Sequence, residues 1–172
     1  MKPDELWPDG QPAAIVELPA GTDIWALHDS GFWVVVPTNT CKKKDGSAVM
    51  GAGLARDAAL RYTDLAATYG ESLAGGRSYL AAPEHRLLLG PTKEDWRQPA
   101  RLELVTMLLI KLRHWCDKNP NEAVAVPALG CGLGGLGYGV VCELAEQELA
   151  TCRAVLVPPL EHMGEVSRSW WA

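Results

Sequence analysis

Two stretches of nearly bare backbone carry the first sign of chemistry. AVMGAGLARDA (Ala48–Ala58) and VPALGCGLGGLGYG (Val126–Gly139) each set glycines between an apolar run and a run of helix formers. Glycine takes conformations that other residues find costly, and it lets ligand atoms approach the main chain. Successive amide N–H groups beside a helix N-terminus form an anion site, and a phosphate or diphosphate is its natural guest. Two such loops suggest one ligand with its phosphates clamped between them. Each loop taken alone is equally open to reading as a tight turn. Gly130, Gly132 and Gly135 also satisfy G-x-G-x-x-G. That dinucleotide fingerprint opens the first βαβ unit of its fold, whereas here one helix and one strand remain before the tail. Neither loop continues into Gly-Lys-Ser/Thr, so a P-loop is not indicated.

Thiols and imidazoles offer less. Cys41, Cys116, Cys131, Cys142 and Cys152 are odd in number and form no C-x-x-C, which suggests neither a disulfide framework nor a zinc ribbon. Reduced, cytoplasmic thiols are the simplest reading. Cys131 has no histidine close in sequence to activate it, so catalysis by its thiol is not expected. His28, His85, His114 and His162 are scattered without metal-ligand spacing, and neither metal nor cofactor is implied.

The glycine loops need a scaffold. At 172 residues, 48% hydrophobic and 22% charged, the chain has the size and composition of one ordinary globular domain. Its net charge of −5 argues against a general nucleic-acid coat protein but leaves room for a local basic patch. No run approaches the length of a spanning helix, and MKPDELWPDG lacks the apolar core of a signal peptide, so a soluble protein with no membrane partner is expected. Residues 1–12 read as a lead-in, 13–160 as the domain and 161–172 as a tail, whose Trp170 and Trp171 either dock on the body or form an exposed contact.

Ala13–Leu18 and Gly31–Pro37 read as buried strands, with GTDIWALHDS between them as a connection. Helix formers fill Ala52 to Leu60, and a second helical piece follows Thr63-Asp64. Gly75-Gly76 mark a turn, after which RSYLAA and HRLLLG are strand candidates. Leu102, Val105, Leu108, Leu109, Leu112 and Cys116 recur at helical spacing over Arg101–Cys116. AVAVPALG is a strand, a helix runs from Gly139 to Ala150, and AVLVPP is the last strand. Alternation of this kind predicts an α/β fold with helices on both faces of a sheet.

In this order and spacing TDIW, VVPTNT, AVMGAGLA, PTKEDW and PALGCGLGGL resemble the macro domain family of ADP-ribose binders and hydrolases, over Ala13 to Pro158. Within that family the resemblance is to the DarG-type antitoxin domains, which remove ADP-ribose from DNA, and to phage-type stand-alone macro domains. It implies a three-layer α/β/α sandwich with a mixed central sheet, and an ADP-ribose cleft across the sheet's carboxyl edge.

The resemblance also implies roles. Asp23 takes the place of the aspartate that accepts from the adenine 6-amino group, with the Ile24 backbone beside it; a turn or cap is its alternative role. Asn39 matches the asparagine that reaches the distal ribose, or else is a turn residue, and Val36 stands where many relatives carry the first asparagine of an Asn-x-x-Asn pair. Met50, Gly51, Ala52 and Gly53, with Gly130, Cys131, Gly132, Leu133, Gly134 and Gly135, would line the ADP-ribose. Lys93 matches a lysine that serves catalysis at the distal ribose C1″, with a water near Asn39 as the other catalytic candidate there; a surface lysine after a strand is its alternative role. To attack, its amine must lose a proton, which Glu94 and Asp95 would oppose if their side chains reach it. Trp96 and Arg97 either shape the cleft wall or pack. Gly134 stands where some hydrolases carry an aspartate, as in the DarG-like arrangement. The insertion CKKKDGS puts Lys42, Lys43 and Lys44 either against a nucleic-acid backbone or on a solvated hairpin tip. The expected function is hydrolysis of a mono-ADP-ribosyl linkage, DNA being preferred slightly over protein as the acceptor. A non-catalytic ADP-ribose reader and an ADP-ribose-1″-phosphate phosphatase are the alternatives.

Overall fold

The run Trp33-Val34-Val35-Val36 is apolar on both sides of the pleat, so a strand made of it must be covered on both faces. The computed structural model, which describes residues 1–160, covers it that way. In chain order the elements are α1 (Pro3–Leu6), β1 (Val16–Glu17), α2 (Ile24–Asp29), β2 (Trp33–Thr38), α3 (Gly53–Arg61), α4 (Leu65–Ala74), β3 (Leu80–Ala82), β4 (Leu87–Pro91), α5 (Leu102–Lys118), β5 (Val124–Pro127), α6 (Tyr138–Glu148) and β6 (Ala154–Val157). Trp170, Trp171 and His162 lie outside the described residues.

The six strands stand in the order β1-β6-β5-β2-β4-β3. Every neighbouring pair is parallel except β3 with β4, so the sheet is mixed. Val34 and Val36 join Leu87, Leu89 and Ala125 in one core, under α2, α3 and α4. Trp33 and Val35 join Leu88, Val124 and Val126 in the other, under α5 and α6. The result is an α/β/α sandwich. Helix α5 presents Val105, Leu108, Leu109, Leu112 and Cys116 to the sheet at the predicted spacing, whereas Leu102, in its first turn, is exposed rather than on the buried face. It rides close over β4 at Gly90, where a Cβ would stand 2.5 Å from Leu108 Cδ1.

Two elements differ from the sequence reading. Strand β1 is only two residues long, an edge strand paired to β6 alone at Val16↔Val155 and Glu17↔Leu156. The connection GTDIWALHDS contains a helix: Asp23 caps α2 by accepting from the Trp25 N–H at 3.0 Å, and Leu27 and His28 turn into the core. Near the N-terminus, Trp7 is 2% exposed, packs on Phe32 at a centroid distance of 6.3 Å, and donates through Nε1 to the Ala14 carbonyl at 2.7 Å.

Candidate functional site

Parallel strands point the same way, so the chain leaves β1, β2, β4, β5 and β6 along one edge of the sheet. Strand β2 connects to α3 on one face, and its neighbour β5 connects to α6 on the other. Neighbouring strands whose connections diverge in this way open a crevice at their carboxyl ends, where α/β proteins collect ligands. Both glycine loops follow strands that end there. No side chain caps α3 or α6. The amides of Gly51 and Ala52, and of Gly132, Leu133 and Gly134, have no hydrogen-bond acceptor among the described residues. With the positive ends of two helices behind them, these N–H groups are suited to an anion.

A chain of hydrogen bonds ties Asn39, the segment around Lys93 and Gly134 together. The Asn39 side chain donates to the Val49 carbonyl at 3.1 Å and accepts from the Cys41 N–H at 2.9 Å, which fixes the approach to the Met50–Gly53 loop. An amide has two donors and two acceptor lone pairs, so one of each remains for a ligand. Next door, the Thr40 N–H and hydroxyl both donate to the Glu94 carbonyl at 2.9 Å, and the Cys41 thiol donates to it at 3.5 Å. Thr92 N–H donates to the Thr38 carbonyl at 3.0 Å. At the far end of the same segment the Ala100 N–H donates to the Gly134 carbonyl at 2.9 Å. Lys93 thus sits on a strap pinned to the end of β2 on one side and to the second glycine loop on the other. Sequence reasoning missed these pins, since they join segments some 34 to 54 residues apart.

Beneath Asn39, Thr38 is buried and bonded to the Tyr69 hydroxyl of α4 at 2.8 Å, and that hydroxyl donates to the Ser78 carbonyl at 2.8 Å. Tyr69 therefore holds the end of β2 against α4 and the approach to β3. Burial pushes its phenol up to about 12, with the Thr38 hydrogen bond opposing the shift.

Side chains on the strap sort by charge. Glu94 pairs with Arg101 at 3.2 Å and Asp95 with Arg97 at 3.3 Å. Neither reaches Lys93, which is half-buried and has no ion-pair partner among the described residues. Trp96 is 50% exposed, with the Arg97 guanidinium 4.6 Å over its ring. The insertion is a hairpin closed by the Lys42↔Ala48 bridge, with Asp45 accepting from the Ser47 N–H at its tip. Lys42, Lys43 and Lys44 are exposed on it.

The second glycine loop is shaped by its own turns. Gly130 (φ +72°) and Gly135 (φ +76°) occupy the left-handed region, and Leu136 N–H closes back on the Gly130 carbonyl at 2.9 Å. Gly134 is buried, and a Cβ there would stand 2.6 Å from Ala100 Cβ and against the Gly130 carbonyl. The place where some hydrolases carry an aspartate has no room for a side chain in this loop. Leu133, one residue earlier, is 80% exposed, and the Cys131 thiol donates to the Leu129 carbonyl at 3.5 Å.

Asp23 and Ile24 lie beyond β1, at the far end of the same edge. His85 sits away from the glycine loops, beyond β3, where it pairs with Asp64 at 3.0 Å and stacks on Tyr62. The Asp64 carboxyl is held below its usual range by that hydrogen bond. His28 is buried, with Nε2 at 2.7 Å from the His85 carbonyl.

The fold has a counterpart among solved structures. The macrodomain of Mycobacterium tuberculosis DarG superposes with a TM-score of 0.71 and is 26% identical, covering 86% of this chain and 99% of that one. The chain has the macro domain fold. No family model matches it. The macro domain is also similar to Thermosipho africanus DarTG in complex with ADP-ribose, at a TM-score of 0.63 and 25% identity, over 74% of this chain and 38% of that one. Among curated proteins, the DNA ADP-ribosyl glycohydrolases of Mycobacterium bovis and Mycobacterium tuberculosis are 32% identical over 125 residues, which take in 64% of this chain and 35% of each relative. The macro domain thus spans about a third of the length of those relatives. No helix among the described residues is long and apolar enough to cross a membrane.

Proposed function

We propose that this macro domain binds ADP-ribose along the carboxyl edge of its sheet and hydrolyses a bond between the distal ribose and DNA. The order of groups along that edge carries the reading. Asp23 follows β1, the second glycine loop follows β5, Asn39 and the first glycine loop follow β2, and Lys93 follows β4. ADP-ribose has its own groups in the same order: adenine, diphosphate, distal ribose. Four strand-to-strand steps from β1 to β4 span about 19 Å, enough for an extended ligand of this kind. The DNA acceptor is supported by the relatives named DNA ADP-ribosyl glycohydrolases, and the ligand by the Thermosipho africanus complex.

In this reading the Asp23 oxygen that does not cap α2 accepts from the adenine 6-amino group, beside the Ile24 backbone. The amides of Gly132, Leu133 and Gly134 and the N-terminal end of α3 hold the diphosphate. Cys131, Gly130 and Gly135 shape that grip, and Met50 to Gly53 close it from the other side. Fixing the diphosphate fixes C1″, and such positioning is itself a catalytic contribution. Asn39 spends its remaining donor and acceptor on the ribose hydroxyls. The bond from C1″ to the acceptor breaks with its electron pair going to the acceptor, which takes up a proton, and water supplies the new C1″ hydroxyl. Lys93 acts at C1″. The protein works in the cytoplasm, where its five free thiols persist.

Lys93→Ala tests this reading. Binding of free ADP-ribose, measured by calorimetry, should persist, while release of ADP-ribose from modified DNA falls at least about 100-fold. Unchanged turnover would remove Lys93 from the mechanism. Wild-type protein that binds ADP-ribose but releases none from DNA would be a reader. Borohydride trapping separates two roles: a covalent adduct on Lys93 marks a nucleophile, and its absence in an active enzyme marks electrostatic help.

A further inference from the structure

The Lys93 strap and the insertion hairpin form one rim, because the Glu94 carbonyl takes hydrogen bonds from the Thr40 N–H and hydroxyl at 2.9 Å and from the Cys41 thiol at 3.5 Å. Residues 39–47 and 92–101 hold six cations, Lys42, Lys43, Lys44, Lys93, Arg97 and Arg101, against the carboxylates of Asp45, Glu94 and Asp95. This is a positive stretch on a chain of net charge −5, and two of its carboxylates are already paired with arginines. Within it stands Trp96, three residues beyond Lys93 and 50% exposed. An indole left half in water forfeits burial that the fold makes elsewhere, as Trp7 at 2% and Trp33 at 8% exposure show. Its neighbourhood is nevertheless built. Asp95 accepts from the Arg97 N–H at 2.9 Å, Gln98 N–H closes the turn on the Asp95 carbonyl at 3.0 Å, and Arg97 lies 4.6 Å over the ring.

An exposed aromatic ring set among cations is how proteins track single-stranded nucleic acid: bases stack on the ring and lysines follow the phosphates. We propose that this rim is the track for the strand that carries the ADP-ribosyl group. Trp96 stacks on a base beside the modified nucleotide, and Lys42, Lys43 and Lys44 take phosphates on the hairpin side. The proposal rests on the ADP-ribose reading for the cleft, but the track itself consists of residues outside the glycine loops. A duplex keeps its bases stacked on each other and offers the indole no free face, so the track selects single strands. The hairpin and strap are backbone-pinned through the Glu94 carbonyl, which no side-chain substitution at 96 or 42–44 removes.

Three ligands separate the possibilities: free ADP-ribose, an unmodified single-stranded oligonucleotide, and the same oligonucleotide carrying ADP-ribose on a base. Binding of each is followed by fluorescence anisotropy or calorimetry across a salt series. For wild-type protein the modified strand should bind tighter than free ADP-ribose, and the unmodified strand weakly at low salt. Trp96→Ala should weaken both strands about 10-fold, within the range of base–aromatic stacking, and more than it weakens free ADP-ribose. Trp96→Phe should recover most of that loss. Replacing Lys42, Lys43 and Lys44 with glutamine should lower the slope of log affinity against log salt by about 2.

Failure of the track reads differently from failure of the cleft. If the modified strand binds no tighter than free ADP-ribose and neither set of substitutions changes the salt slope or affinity for strands, the track is overturned. An ADP-ribosylated peptide that matches the modified strand in affinity would then point to protein acceptors. Should free ADP-ribose fail to bind while the unmodified strand binds through Trp96, the track stands and the cleft reading falls.

Discussion

The two glycine loops look alike in sequence, and each has glycine at a positive φ, but they differ in what surrounds the glycines between. In the second, glycine is demanded by the loop's own geometry: Gly130 and Gly135 have positive φ, and Gly134 is wedged between Ala100 and the Gly130 carbonyl. In the first, Gly53 also has a positive φ (+56°), but a Cβ on Gly51 would meet nothing within 4 Å among the described residues, and its φ lies outside the left-handed region. Glycine at 134 is there for the fold, whereas nothing among the described residues requires glycine at 51. A small residue with nothing to avoid in its own chain is where a ligand's approach would set the limit.

Substitution sharpens the contrast, and the largest effect belongs to the second loop. Gly134→Ala should destabilise the protein by about 3 kcal/mol, the upper part of the range for overpacking, because the neighbour in the way is partly backbone. It should also break the Ala100–Gly134 pin and so displace Lys93. Thermal unfolding would register the first consequence and ADP-ribose titration the second. A stable Gly134→Ala protein with normal affinity would erase the difference between the loops. The smaller effect is Gly51→Ala, for which stability should move by less than about 0.5 kcal/mol. Affinity for ADP-ribose should nonetheless fall several-fold, as the added methyl stands where the diphosphate approaches the amides. If calorimetry finds affinity unchanged, the first loop does not touch the ligand.

Much of this was legible in the chain because the signals are local. The apolar run of β2, the spacing along α5 and the glycines at both loops each lie within one stretch of sequence, and each stretch forms the element it predicts. Helix α2 was not read, since it is six residues long and buries His28 beside Leu27, which blurs its apolar face. Thr22-Asp23 ahead of Ile24 was the available signal, an Asp cap whose carboxylate was assigned to adenine instead. The pins that bring Asn39, Lys93 and Gly134 together were beyond the sequence for a different reason. They follow from β2 standing between β5 and β4, and chain order does not announce sheet order. Gly134 is instructive in the same way: along the sequence it looks like a missing aspartate, and in space it is the only residue type that fits.

Both loops gripping one diphosphate is the claim on which the rest stands, and a crystal structure of the protein with ADP-ribose tests it most directly. The account predicts diphosphate oxygens within hydrogen-bond distance of amides at Gly132 to Gly134 and also of amides at the start of α3. A diphosphate held by one loop alone, or bound away from the crevice between β2 and β5, would contradict it.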